Sequence, residues 1–147
     1  MDENNFLKQF DINALRPLLI EQFEEFQLKK LGVQREQLAD IVNLKDNPFA
    51  VIVSGLRRAG KSTLLVQAIK YMYSSNEYYY VNFDDTRFLN FNAQDFPQLQ
   101  KILIEIFGER KIFVFDEIQN IKGWEVFIRR LLNGNYKIYI TGSNATF

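Results

Sequence analysis

The sequence predicts an α/β protein built on a mainly parallel sheet, because strand and helix patterns alternate from residue 48 onward. Short runs such as Ile112-Phe113-Val114-Phe115 are apolar at consecutive positions, which is typical of strands covered on both faces. Segments with apolar residues every three or four positions separate these strands and are typical of amphipathic helices. We therefore expect three layers, with helices on both sides of the sheet and right-handed crossovers.

The elements follow in a regular order along the chain. Before residue 48 the pattern is helical. The first helix has apolar residues at Ile12, Leu15, Leu19, Phe23 and Phe26, and Gly32 is its predicted stop. A second short helix is predicted at 34–42. Strands are predicted at 49–54, 78–83, 111–115 and 136–140, and helices at 61–72, 95–107 and 124–132. These patterns predict an N-terminal helical segment at 1–47 and one α/β core at 48–147.

Composition excludes several classes of protein. Hydrophobic residues make up 47% of the chain, which is typical of a packed globular protein. The net charge is zero, so no global basic field attracts nucleic acid. With neither Cys nor His, the chain cannot use disulfides, a thiol nucleophile or an imidazole base. No apolar run is long enough to span a bilayer and the start MDENN is not a signal peptide, so we expect a cytoplasmic protein without a membrane partner.

A glycine-containing loop lies between the first predicted strand of the core and the helix after it. Its residues match the pattern G-x-x-x-x-G-K-[ST], with one further threonine, and are Gly55, Leu56, Arg57, Arg58, Ala59, Gly60, Lys61, Ser62 and Thr63. Glycines let backbone N–H groups turn around a phosphate, and the following helix adds its positive dipole end. Lys61 would neutralise the β- and γ-phosphates of a bound nucleotide, and the Ser62 hydroxyl would bind Mg²⁺.

The alternative for this loop is a chance glycine-rich turn, which the strand before it and the helix after it disfavour. Arg57 and Arg58 could contact phosphate or a neighbouring subunit, but two solvated arginines at a loop tip are the favoured interpretation.

Two carboxylates, Asp116 and Glu117, directly follow the apolar strand at 111–115. A carboxylate at the carboxyl end of a strand lies at the edge where α/β sheets bind ligands, so Asp116 can hold Mg²⁺ through its water shell. Glu117 would then act as the base, or as the group that orients the attacking water. A surface acidic pair that only begins a loop is the alternative. Asp84 and Asp85 follow another strand and could face the site too, but a loop and capping feature is the favoured interpretation of that pair.

The last predicted strand is followed by small polar residues from Thr141 to Asn144. They either reach a bound phosphate and its attacking water or form an ordinary turn, and the sequence leaves both interpretations open. Arg129 and Arg130 lie on the preceding helix, where solvated helix charges are favoured over an arginine finger toward a neighbouring site. Trp124 is expected to pack that helix onto the sheet.

The four segments GLRRAGKST, YYYVNFDDTRF, IFVFDEIQNIKGWEVFIRRL and YIYITGSNA, in this order, resemble the AAA+-type P-loop ATPases of bacteria and archaea. The likeness is greatest to a poorly characterised prokaryotic, archaeal-type group, and it covers residues 50–147. It implies an ATP and Mg²⁺ site in which Lys61 and Ser62 hold phosphate and metal and Asp116 and Glu117 complete the hydrolytic centre. It places Ser143 or Asn144 at the sensor position, on a strand between the phosphate-loop strand and the Asp-Glu strand.

The resemblance also implies what lies beyond this chain. Members of the group continue through a fifth strand, a helical lid and a further C-terminal domain, so this chain resembles the N-terminal portion and its sheet is expected to be incomplete. An incomplete sheet would expose an edge, so we expect some self-association. A protein or DNA partner is expected to bind through the C-terminal region.

The predicted function is ATP binding with Mg²⁺-dependent hydrolysis. The alternative is a nucleotide-gated switch or scaffold, in which ATP controls a protein or DNA interaction without significant hydrolysis. A P-loop kinase is less favoured because a glutamate directly follows Asp116. A GTPase is disfavoured because the sequence contains no N-K-x-D segment.

Overall fold

The structure is a computed structural model that describes residues 10–30, 36–55 and 60–143. Its helices are α1 (Leu15–Leu28), α2 (Glu36–Val42), α3 (Lys61–Met72), α4 (Phe96–Phe107) and α5 (Trp124–Asn133). Its strands are β1 (Val51–Gly55), β2 (Tyr78–Asn82), β3 (Ile112–Asp116) and β4 (Lys137–Ser143). Short 3₁₀ turns cover Ile12–Ala14, Thr86–Phe88, Ala93–Asp95 and Ile118–Asn120.

The four strands form one parallel sheet in the order β1-β4-β3-β2. The predicted α/β class is therefore confirmed, and β4 lies between β1 and β3 as the resemblance implied. All five residues of β3 are buried, in agreement with its continuous apolar run. Among the described residues β1 has a strand on one side only, and Ile52 on it is 45% exposed.

Two hydrophobic cores lie on opposite faces of the sheet, because side chains alternate between faces along each strand. The core on the side of α4 and α5 includes the strand residues Tyr79, Val81, Phe113, Phe115, Ile138 and Ile140. The core on the side of α2 and α3 includes Tyr78, Tyr80, Ile112, Val114 and Tyr139. Helix α1 supplies Leu19 to the first core and Phe26 to the second, so it packs at the β2 edge of the sheet.

Several boundaries differ from those that the sequence predicted, two of them by three residues or more. Helix α1 ends at Leu28, and the predicted stop at Gly32 lies outside the described residues. Strand β4 continues through Ser143, so Thr141, Gly142 and Ser143 belong to the sheet and an ordinary turn there is ruled out. The reason is pairing on both sides, since Thr141 lies opposite Asp116 of β3 while Gly142 and Ser143 lie opposite β1.

A glutamine of α1 pairs with the backbone of β2 at the edge where no other described strand lies beside it. The side chain of Gln22 is buried, and its Nε2 donates to the carbonyl oxygen of Asn82 at 2.9 Å. Its Oε1 accepts from the N–H of Asn82 at 3.0 Å. Both backbone groups of the last residue of β2 are thereby paired, which fixes this strand end beside Asp116.

Replacing Gln22 with Leu is expected to lower the free energy of unfolding by about 1–3 kcal/mol, because both Asn82 backbone groups lose their partner. Urea denaturation measures this change. The control is Gln98→Leu on the exposed face of α4, for which the change should stay below about 0.5 kcal/mol. Equal effects of the two substitutions would show that the Gln22 contacts do not stabilise the fold.

Candidate functional site

A polar cleft opens at the carboxyl edge of the sheet. Its volume is about 430 Å³, and its lining residues come from the ends of α1, α3, β2 and β3: Lys29, Gly60, Lys61, Ser62, Thr63, Asn82, Asp84, Asp116 and Glu117. Six of these belong to the predicted site, namely Gly60, Lys61, Ser62, Thr63, Asp116 and Glu117. The fold therefore brings the second half of the glycine-containing loop against the acidic pair.

Lys61 and Glu117 form a buried ion pair in this cleft. Gly60 has φ +80°, a left-handed conformation that glycine adopts without strain, and Lys61 is the first residue of α3 after it. The Lys61 ammonium donates to Glu117 Oε1, and the two residues are only 7% and 6% exposed. The Ser143 hydroxyl donates to the same oxygen at 2.7 Å, and the N–H of Ser143 donates to Oε2 at 3.1 Å. The buried carboxylate is thus fully paired, as burial of a charge requires.

The backbone of Glu117 is held in an uncommon conformation. Its φ of 57° and ψ of 41° are left-handed, which non-glycine residues adopt rarely and at an energetic cost. The N–H of Glu117 donates to the carbonyl oxygen of Thr141 on β4 at 3.0 Å. This bond turns the chain sharply at the end of β3 and leaves the Glu117 side chain facing Lys61.

Three hydroxyl groups surround the neighbouring carboxylate, Asp116, which is 6% exposed. Thr141 Oγ1 donates to Oδ1, Ser62 Oγ donates to Oδ1 at 3.3 Å, and the Tyr80 hydroxyl donates to Oδ2 at 3.1 Å. Burial raises the pKa of Tyr80 well above its usual value, and the charge of Asp116 raises it further. Tyr80 therefore keeps its proton and acts as a donor to the carboxylate.

Glu117 is held as a carboxylate in the nucleotide-free chain. Burial alone would raise the pKa of Glu117 from 4.5, but the hydrogen bonds from Lys61, Gln119 and Ser143, with the charge of Lys61, outweigh it and lower this pKa to about 2. Glu117 is therefore ionised at neutral pH in this arrangement.

The unfolding free energy of the nucleotide-free chain is expected to decrease as the pH falls from 4.5 toward about 2. A pKa that is lowered in the folded state gives a stabilisation that is complete above the unfolded value and lost as the pH falls through the folded value. Urea denaturation over this pH range measures the effect. The stability difference between the wild type and Glu117→Gln should shrink as the pH falls. Glu125→Gln, on the exposed surface of α5, is the control that should leave the pH dependence unchanged.

The spacing of Ser62 and Asp116 fits a bound Mg²⁺. This ion holds oxygen ligands at about 2.1 Å in an octahedron, so neighbouring ligand oxygens lie about 3 Å apart. Ser62 Oγ and Asp116 Oδ1 are 3.3 Å apart and lie in the cleft beside Lys61. One ion or its water shell can therefore contact both.

Some predicted site residues lie outside the described part of the chain: Leu56, Arg57, Arg58, Ala59 and Asn144. Gly55 ends β1 directly before the loop. The second acidic pair divides between two roles. Asp85 caps the 3₁₀ turn after β2 and pairs with Arg87, as its interpretation as a capping residue predicted, whereas Asp84 lines the cleft.

The residues of α5 lie as the favoured interpretations predicted, with solvated arginines and a packed tryptophan. Arg129 and Arg130 are exposed, and Trp124 packs against the core on its side of the sheet.

The sequence did not single out Tyr80 or Gln119, and it named Thr141 only for a bound phosphate or a turn. In the structure Tyr80 and Thr141 donate to Asp116, and the Nε2 of Gln119 donates to Glu117 Oε2. A usable signal existed for Thr141, which lies opposite Asp116 in the parallel pairing of β3 and β4. Tyr80 lies in the middle of β2, opposite Val114 and two residues before Asn82, the residue that lies opposite Asp116.

The parallel sheet, with a glycine, a lysine and a helix N-terminus facing a strand-end acidic pair, defines a nucleotide-binding domain of the P-loop ATPase class. A family model described as AAA domain matches residues 47–147, and the chain belongs to that family. The resemblance drawn from the sequence is thereby confirmed.

The relatives of this chain come from archaea and bacteria. An uncharacterized protein of Methanocaldococcus jannaschii is 34% identical over 128 residues, which are 84% of this chain and 28% of that protein. An uncharacterized protein of Haemophilus influenzae is 36% identical over 125 residues, which are 80% of this chain and 31% of that protein. The chain thus spans less than a third of the length of either relative. No solved structure matches it significantly.

Both alignments are longer than the segment matched by the family model, so they include part of the N-terminal helical segment. Within the described residues, none of the helices has the length and apolar character needed to cross a membrane.

Proposed function

We propose that this domain binds ATP with Mg²⁺ and hydrolyses it at the cleft where the start of α3 faces the ends of β2 and β3. The observation that carries the proposal is the buried contact between Lys61 and Glu117, next to the paired oxygens of Ser62 and Asp116. A phosphate-binding cation, a metal-binding pair and a carboxylate base are the three groups that ATP hydrolysis requires. All three lie within one cleft.

Each residue has a distinct role in this proposal. Lys61 binds the β- and γ-phosphates, together with backbone N–H groups of the loop from Gly55 to Thr63. Ser62 and Asp116 hold Mg²⁺, which when bound neutralises charge on the phosphates. Glu117 takes the proton from the attacking water, and Ser143 orients that carboxylate.

Lys61 exchanges its partner when nucleotide binds. Lys61 contacts Glu117 Oε1, and a triphosphate offers the ammonium a stronger set of anionic partners. When Lys61 turns to the phosphates, Glu117 Oε1 keeps the Ser143 hydroxyl as a donor and loses its cation. A bond then forms between the water oxygen and the γ-phosphorus, while the bond from that phosphorus to the β,γ-bridging oxygen breaks. The proton of the water goes to Glu117.

Phosphate release from ATP tests the proposal directly. The chain should turn ATP over in the presence of Mg²⁺ and should stop when a chelator removes the metal, because Ser62 and Asp116 act through the ion. Turnover that is unaffected by the chelator would contradict the proposed metal site. Saturable ATP binding without any turnover would favour the alternative, in which nucleotide binding switches a partner interaction.

Three further properties are part of this proposal. We place it in the cytoplasm, and we propose that a protein or DNA partner binds outside the residues of this chain. We also propose that the chain self-associates, since β1 is an edge strand of the described sheet and Ile52 and Phe49 are exposed near it. Light scattering that shows only monomers would contradict self-association.

A further inference from the structure

The two carboxylate oxygens of Glu117 have different partners. Oε1 accepts from the Lys61 ammonium and the Ser143 hydroxyl. Oε2 accepts from the side-chain amide of Gln119 and from the backbone N–H of Ser143. One oxygen is therefore held partly by a cation, whereas the other is held by neutral donors alone.

The orientation of the Gln119 amide follows from chemistry. A carboxylate only accepts hydrogen bonds, so the NH₂ group of Gln119 must face Glu117. The other end of the amide, Oε1, is buried and has no hydrogen-bond partner within the described ranges. A buried acceptor without a partner is destabilising. The amide nitrogen of Gln119 thus donates to Glu117, while the amide oxygen is left without a described partner. Buried polar groups left in this way are found at functional sites.

The local chain geometry places Gln119 for this contact. Glu117 has a left-handed backbone conformation and directly precedes the 3₁₀ turn Ile118–Asn120. This turn brings the side chain of Gln119 back to the carboxylate two residues before it. Gln119 therefore belongs to the same turn as Glu117, while Lys61 reaches the carboxylate from α3.

We propose that Gln119 is a positioning residue that keeps Glu117 aimed at the attacking water once Lys61 has left for the nucleotide. This inference rests on the proposed function. Of the four contacts that the described residues make to the Glu117 carboxylate, only the one from Lys61 is lost when the ammonium turns to phosphate. Gln119 and the Ser143 N–H keep Oε2 fixed, so Oε1 is the oxygen that receives the proton. Because the Gln119 amide is neutral, it orients the carboxylate without neutralising it.

The test is Gln119→Met, which keeps the length of the side chain and removes the donor. We expect kcat for ATP to fall at least about tenfold, the loss typical of one hydrogen bond to a charged group, while the ATP dissociation constant stays within about twofold. Gln98→Met on the exposed face of α4 is the matched control and should leave both values unchanged. An unchanged kcat, or a loss of ATP affinity as large as the loss of kcat, would overturn the positioning role.

A double-mutant cycle separates this role from a general structural one. In a Glu117→Gln background, Gln119→Met should have no further effect on the residual turnover, because Gln119 acts only through the carboxylate. Additive effects would overturn the inference. If Gln119→Met does not fold, Gln119→Glu replaces it, and repulsion between the two carboxylates should lower kcat at least as much. Wild-type turnover in Glu117→Gln alone would overturn the proposed function instead.

Discussion

Glu117→Gln is expected to lower the turnover of ATP by about 100-fold to 10,000-fold, the contribution of a positioned general base. The substitution keeps the size of the side chain, and its amide carbonyl still accepts from Ser143, but it no longer accepts a proton at neutral pH. Steady-state phosphate release measures the change.

ATP affinity should be retained in the same variant, because Lys61 is then free to bind phosphate and loses no partner that ATP binding requires. We expect the dissociation constant to be equal to or lower than that of the wild type. Glu125→Gln is the control on an exposed helix surface and should leave turnover unchanged. Wild-type turnover in Glu117→Gln would remove Glu117 from the mechanism.

Lys61→Ala is expected to weaken ATP binding by at least about 100-fold. The ammonium lies at the first turn of α3, where it can add its full charge to the backbone donors of the loop. Its removal deletes that charge and leaves the buried Glu117 without its cation, so an anionic nucleotide also meets an uncompensated carboxylate. Equilibrium titration with a fluorescent ATP analogue measures the affinity.

Two further variants make the Lys61 result specific. Lys101→Ala removes an exposed lysine from α4 and should leave the affinity unchanged. The double variant Lys61→Ala with Glu117→Gln should recover part of the lost affinity, because it removes the carboxylate repulsion. Equal affinities of Lys61→Ala and the wild type would contradict phosphate binding by Lys61.

The sheet could be predicted from sequence because its information is local. The apolar run of β3 fixes a strand covered on both faces, and the change to helical spacing at Lys61 marks the start of α3. The same local patterns placed Asp116 and Glu117 at a strand end, and the structure brings both to the cleft with Lys61. The chemical roles of these residues remain predictions.

Contacts between distant positions could not be predicted in this way. Gln22 is 60 residues from Asn82, and nothing in its helical surroundings indicates that it pairs with a strand edge. Tyr80 is one of three consecutive tyrosines, and the local sequence does not indicate that it is the one that reaches Asp116. The role of Gln119 depends on the left-handed backbone conformation of Glu117. No residue pattern predicts that conformation, because glutamate rarely adopts it.

Calorimetric titration of the wild-type chain with ATP, with and without Mg²⁺, tests most directly whether this cleft is a nucleotide site. We predict saturable binding of one ATP per chain, with higher affinity when Mg²⁺ is present, because Ser62 and Asp116 are spaced to share the ion with the phosphates. A folded sample that binds no ATP under either condition would contradict the assignment of the Lys61–Glu117 cleft as an ATP site.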